Sequence, residues 1–157
     1  MWQLLFATSE EALVKLIPII FVLSAIMCTR SIAASLSVEM LNGKNGEAFV
    51  YSDKLLRVKS NDIVTWKSTN PGHNAEFIAQ GYPAGAADMH GKISKDVSYA
   101  FEVPGIYVVK CTPHFGLGMI QVIVVDDNLN NLDQVRKLTF PGKSKSVAES
   151  IFAQISK

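Results

Sequence analysis

From Ser35 to Val125 the chain alternates short β-favouring runs with turn residues, and this spacing constrains the fold more than any other feature. Ser37-Val38-Glu39-Met40 alternates polar with apolar side chains, the two-residue period of a half-buried strand. Residues 48–51, 55–59 and 63–66 follow, rich in β-branched and aromatic side chains. The clusters Asn42-Gly43-Lys44-Asn45-Gly46 and Ser60-Asn61-Asp62 turn the chain between them. Residues 99–103 and 106–111 flank Pro104-Gly105, where proline fixes φ and glycine accepts positive φ. Residues 120–125 form the last run. Many short strands with regular turns predict an all-β Greek-key β-sandwich or barrel. Between Gln80 and Asp96 the pattern lapses into glycine, proline and alanine, an irregular excursion with room for one helical turn.

The tail follows a different rule. Residues 131–137 start like a capped helix, with Asn131 first, Asp133 in the opening turn and Arg136-Lys137 at the end. Pro141-Gly142 breaks it. Val147, Ile151 and Ile155 then recur at four-residue spacing, one apolar stripe. Two short C-terminal α-helices are therefore expected to pack on one sheet.

The chain has 157 residues, which fits a single domain. With 48% hydrophobic and 18% charged residues it has material for a core, so a disordered chain is excluded. A net charge of +1 gives no footprint of nucleic-acid binding or of a polybasic membrane surface. Residues 16–27 are an uncharged apolar run, short for a bilayer and interrupted by Pro18. Lys15 precedes it, and Ser31-Ile32-Ala33-Ala34-Ser35 follows as a small-residue cleavage site. Residues 1–34 are expected to be a cleaved signal peptide, sending residues 35–157 to the periplasm as one soluble domain. Glu10 and Glu11 depart from a basic leader, and an uncleaved membrane anchor is the alternative. Cys28 leaves with the signal, so Cys111 is alone in the mature domain and cannot form an internal disulfide. It is an inert core residue, a reactive thiol or a metal ligand.

The surrounding sequence favours a ligand. Cys111-Thr112-Pro113-His114-Phe115-Gly116-Leu117-Gly118-Met119 puts a thiolate, an imidazole and a thioether on one loop between two strands. Each alone has a bland reading: buried cysteine as a small hydrophobe, methionine as core, histidine as a surface residue. Together they are a soft donor set suited to copper. Pro113 stiffens the loop, and Gly116 and Gly118 let it curl back. His73, in Pro71-Gly72-His73-Asn74, supplies a second imidazole, which predicts His73, Cys111 and His114 in a plane with Met119 weakly axial. Zinc would take the cysteine and histidines but gains nothing from Met119. A Cys111 nucleophile with His114 as base lacks an orienting acid beside it. His90 reads as an exposed loop residue outside the ligand set, and Trp66 as core.

Gly72-His73-Asn74, Val109-Lys110-Cys111-Thr112-Pro113-His114 and Gly118-Met119 resemble the cupredoxins, the pseudoazurin branch most closely. Plastocyanins share the loop spacing but end after the next strand, whereas Asn131-Leu132-Asp133-Gln134 resembles the start of a pseudoazurin tail. The resemblance spans the chain after Ser35. It implies the cupredoxin fold and one type 1 blue copper held by His73, Cys111, His114 and Met119. It also implies that Asn74 clips the ligand loops together, and that the Phe49 ring packs on His114 and shifts the copper spectrum. Electrons would pass through the His114 edge, within an apolar patch of Pro113, Phe115, Leu117 and Gly118. Lys44, Lys92, Lys95 and Lys110 are candidates for steering partners, against the plain reading of a solvated face.

The function expected is a soluble, monomeric electron carrier with transient redox partners such as nitrite reductase or cytochromes, no nucleic acid and no stable membrane association. Three histidines are too few for the further coppers of an oxidase or nitrite reductase, so no enzymatic activity is expected. Copper storage or delivery, and a membrane-anchored donor domain, are the alternatives.

Overall fold

In a computed structural model the described residues are 32–155. The chain divides into two units after Ile32. The expected signal peptide lies outside the described residues except for its last three. The second unit holds eight strands: β1 (Ser35–Lys44), β2 (Glu47–Tyr51), β3 (Leu55–Val58), β4 (Ile63–Lys67), β5 (Glu76–Phe77), β6 (Val97–Ala100), β7 (Gly105–Lys110) and β8 (Ile120–Val125). A 3-10 turn, Thr112–Leu117, sits between β7 and β8. Helices α1 (Leu132–Arg136) and α2 (Lys143–Ile155) close the chain. The strands form two four-stranded sheets, ordered β2-β1-β4-β6 and β3-β8-β7-β5. This is the predicted β-sandwich with two C-terminal helices.

Burial explains the strand grammar. On β1, Val38 and Met40 point inward while Ser37 and Glu39 face water, because that sheet has one covered face. On β7 and β8 both faces are covered. Tyr107, Val109, Ile123 and Val125 join the core between the sheets. Ile106, Val108, Val122 and Val124 meet Val135, Ala148, Ile151, Phe152 and Ile155 of the helices. Residues 106–109 and 122–125 are therefore continuous apolar runs. One polar link crosses the core: Trp66 Nε1 donates to Gln121 Oε1 at 2.7 Å, and Gln121 Nε2 donates to the Asp53 carbonyl at 2.7 Å.

Several expectations need correction. The Asn131 side chain makes no cap bond. Its Oδ1 accepts the Ile106 N–H and its Nδ2 donates to the Ile106 carbonyl, both at 2.8 Å, so it tethers α1 to β7. The buried face of α2 is Ser144, Ala148, Ile151, Phe152 and Ile155, with Val147 at its margin. Residues 80–96 contain no helix. They return to β5 through Phe77 N–H to the Met89 carbonyl (3.0 Å) and Gly91 N–H to the Ala75 carbonyl (2.9 Å). The strand expected at residues 99–103 runs instead from Val97 to Ala100, pairing with β4.

Candidate metal centre

The ligand loop is the closed end of the β7–β8 hairpin. Lys110 pairs with Ile120 in the ladder, and one step further the Cys111 N–H donates to the Met119 carbonyl at 3.1 Å. Pro113 lies in the first turn of the 3-10 element, where a missing N–H costs nothing. Gly118 ends it at φ 98, a left-handed conformation that side chains with a Cβ avoid. The Met119 N–H then donates to the His114 carbonyl at 3.3 Å. Cys111 and Met119 are thus held at one level, both fully buried.

His73 arrives from the other direction, on the connection between β4 and β5, and is also fully buried. The turn before it is strapped from outside. Gly72 N–H donates to Ser94 Oγ at 2.9 Å, and Ser94 N–H donates to the His73 carbonyl at 2.8 Å. His73 Nε2 lies 2.8 Å from Asn42 Oδ1, an acceptor, so Nε2 carries the proton and Nδ1 presents its lone pair. That Nδ1 is 3.7 Å from Cys111 Sγ. His114 Nδ1 is 3.4 Å from the same sulfur. The three donor atoms lie within 4.8 Å of one another.

These separations fit one shared cation. Bonds of about 2.0 Å to nitrogen and about 2.3 Å to sulfur, at a trigonal angle, place N and S about 3.7 Å apart. Burial holds both His73 and His114 below the ordinary imidazole range, with His114 adding to the effect on His73, so both rings favour the neutral form a metal needs. Burial also pushes the Cys111 thiol up, against hydrogen bonds from the backbone N–H groups of Asn74 and His114 and reinforced by the Glu76 charge. A thiol raised in this way is not an activated nucleophile. A metal must displace its proton. Soft sulfur, two neutral imidazoles and the buried Met119 thioether are a copper donor set.

The next layer is dense. Asn74 Oδ1 accepts the Thr112 N–H at 2.8 Å, joining the two ligand segments as anticipated. The buried Tyr51 hydroxyl donates to the Asn74 carbonyl at 2.8 Å. Glu76 accepts from Thr112 Oγ1 at 2.6 Å and pairs with Lys110 at 3.0 Å. Burial works to raise the Glu76 carboxyl, but its bonds from Thr112, Lys110 and His90 and the Lys110 charge leave it below the usual range. The β1–β2 ladder skips one rung, Asn42 opposite Phe49. Asn42 serves His73, and the Phe49 ring stacks on His114.

Helix α2 touches the loop as well. Ser144 Oγ donates to the Phe115 carbonyl, and Gly142 sits directly against the Gly116 backbone, with no space for a side chain. The aliphatic stem of Lys143 covers Gly118. Gly118 is therefore buried and leaves the expected apolar patch, while Pro113, Gly116 and Leu117 are exposed and His114 and Phe115 half-buried. Lys110 is half-buried, bound to Glu76 and 5.6 Å above the Phe115 ring, a poor match for a free steering charge. His90 is exposed, pairs with Asp88 and Glu76, and lies outside the converging donors. Sequence reasoning missed Glu76, Asn42 and Ser144. Only a strand register could have placed Glu76 opposite Lys110.

Residues 38–126 match the family model described as copper binding proteins of the plastocyanin/azurin family. The chain belongs to that family. It is 33% identical over 124 residues to a pseudoazurin of Paracoccus pantotrophus, covering 79% of this chain and 86% of the relative. It is 35% identical to a putative pseudoazurin of Rhizobium leguminosarum, covering 79% and 82%. Among solved structures, a pseudoazurin from Sinorhizobium meliloti superposes with a TM-score of 0.76 at 38% identity, covering 79% of this chain and 98% of that one. The pseudoazurin from Methylobacterium extorquens AM1 gives 0.74 at 30%, covering 77% and 98%. The family binds copper, the metal that the donor set selects.

Proposed function

We propose that this protein is a single-electron carrier in which His73, Cys111, His114 and Met119 hold one copper. The observation that carries the reading is the convergence of His73 Nδ1, His114 Nδ1 and Cys111 Sγ, with Met119 buried on the same loop. Bound copper supplies a one-electron Cu(II)/Cu(I) couple. The chain supplies the rest. Backbone bonds fix Cys111 and Met119, Asn42 fixes the His73 ring and Phe49 the His114 ring, so little has to move when the charge changes. Burial of His73, Cys111 and Met119 excludes water and argues against ready surrender of the metal, as a delivery protein requires. The half-buried His114 lies among exposed Pro113, Gly116 and Leu117, a small apolar face on which a redox partner could dock.

Residues 1–34 act, on this reading, as an export signal, because β1 begins at Ser35, the last residue of the small-residue site. The mature domain would then work in the periplasm with diffusing redox proteins, a reductase such as nitrite reductase among them, and without catalytic turnover of its own.

The deciding experiment is to express residues 35–157, add Cu(II), and record the visible spectrum with a redox titration. An intense charge-transfer band, reversible one-electron reduction, and loss of the band in Cys111→Ala are expected. A colourless Cu(II) mixture with folded protein would sink the assignment.

A further inference from the structure

Glu76 holds more of the centre than its place outside the donor set suggests. Oε1 accepts from Thr112 Oγ1 at 2.6 Å and faces Lys110 Nζ at 3.0 Å. Oε2 accepts from Asn74 Nδ2 at 3.3 Å and faces His90 Nδ1 at 3.6 Å. Thr112 directly follows Cys111, and Asn74 directly follows His73. One carboxylate therefore grips the neighbour of each of two donors, on two segments distant in the chain. We propose that Glu76 is a positioning residue that ties the His73 turn to the Cys111 loop, and that its negative charge lowers the reduction potential of the centre. The proposal rests on the copper reading above.

The tie works through the Asn74 amide. Its Oδ1 must face the Thr112 N–H, and a flipped amide would set donor against donor. Glu76 and the Gly91 carbonyl, the latter at 3.1 Å, both accept from Nδ2 and fix the orientation. Glu76 itself cannot drift. Its backbone pairs with Lys110 on one side and bridges to His90 on the other. Its side chain is 17% exposed, so water screens the charge less than on an open surface. A negative charge close to a centre that loses one positive charge on reduction favours the oxidised state. Lys110 offsets this in part, while Asp88 binds the far nitrogen of His90 and offsets the help His90 could give.

Two readouts test it. In the copper-loaded protein, Glu76→Gln keeps an acceptor for Thr112 but removes the charge, and the midpoint potential should rise at neutral pH. In the metal-free protein, Glu76→Ala should speed exchange of the Thr112 amide proton by about tenfold, the loss of one hydrogen bond's support, while the Val64 amide in β4 keeps its rate. Should the alanine variant not fold, Thr112→Val carries the exchange test with the same expectation. An unmoved potential in folded, copper-loaded Glu76→Gln overturns the proposal. So does an unchanged Thr112 exchange rate. If the wild type takes up no copper, the copper reading fails by itself, and the exchange comparison alone decides the tie.

Discussion

The Phe49 ring lies parallel to the His114 imidazole, with 4.1 Å between centroids and 5° between planes. The backbone pays for this contact: Phe49 has φ 54, in the left-handed region, although it sits within β2. The skipped rung frees it from the ladder, so its side chain turns across the end of the sandwich toward the metal loop.

The first prediction concerns that ring. Phe49→Leu removes the stack and keeps bulk, and the intensity ratio of the copper absorption bands should change while copper stays bound. Identical spectra and potentials for the variant and the wild type would dismiss any electronic role. The backbone makes a separate demand. Phe49→Gly should be more stable than Phe49→Ala by about 1 kcal/mol, because glycine adopts positive φ without a Cβ clash. Urea unfolding of the two variants gives the comparison.

A second prediction concerns the polar link across the core. Gln121→Leu strands the buried Trp66 N–H and removes the partner of the Asp53 carbonyl, both of which Gln121 satisfies. The fully buried Trp66 N–H costs about 1–3 kcal/mol when left unpaired, whereas Asp53 is exposed and water can take its carbonyl, so a loss of about 1–3 kcal/mol is expected. A smaller loss of unfolding free energy in urea would mean that water or a rearranged partner replaces Gln121.

Acid should erase what the Glu76 charge contributes to folding. Its carboxyl is held below the ordinary range in the folded protein, so its stabilisation is present above the unfolded value, about pH 4.3, and disappears as pH falls through the lower folded value. The metal-free wild type should melt higher than Glu76→Gln at pH 7, and the two should converge in stronger acid. A constant gap across that range would show that the charge is not the source of the difference.

The contact between α2 and the metal loop gives a fourth. Gly142→Ala adds a Cβ where the Gly116 backbone already lies, at a position with φ 53. Both loop and helix must give way. The copper spectrum should change together with the melting temperature, whereas a stability loss with an unaltered spectrum would separate helix packing from the site.

The amino-acid pattern reveals the strands of a sandwich because β-branched alternation and Pro-Gly turns are local signals, and it reveals the donors because three of them share nine residues. The short β5 carries no such signal: two residues cannot show a period, and Glu76 gains its partners only through pairing with Lys110. Asn131 misleads for a related reason. Asparagine before a helix suits a cap, but here the bare edge of Ile106 competes for the same amide and wins. The left-handed Phe49 is invisible in advance, since a strand-forming aromatic gives no hint of positive φ. Lys110 looks like a surface charge until Glu76 is seen across from it.

Helix α2, resting on Gly116 and Phe115, makes the metal loop depend on a segment that supplies no donor. A chain cut before Gly142 would keep all four donors on a loop that has lost its outer support. Such trimming should therefore harm metal retention although every ligating atom stays in place.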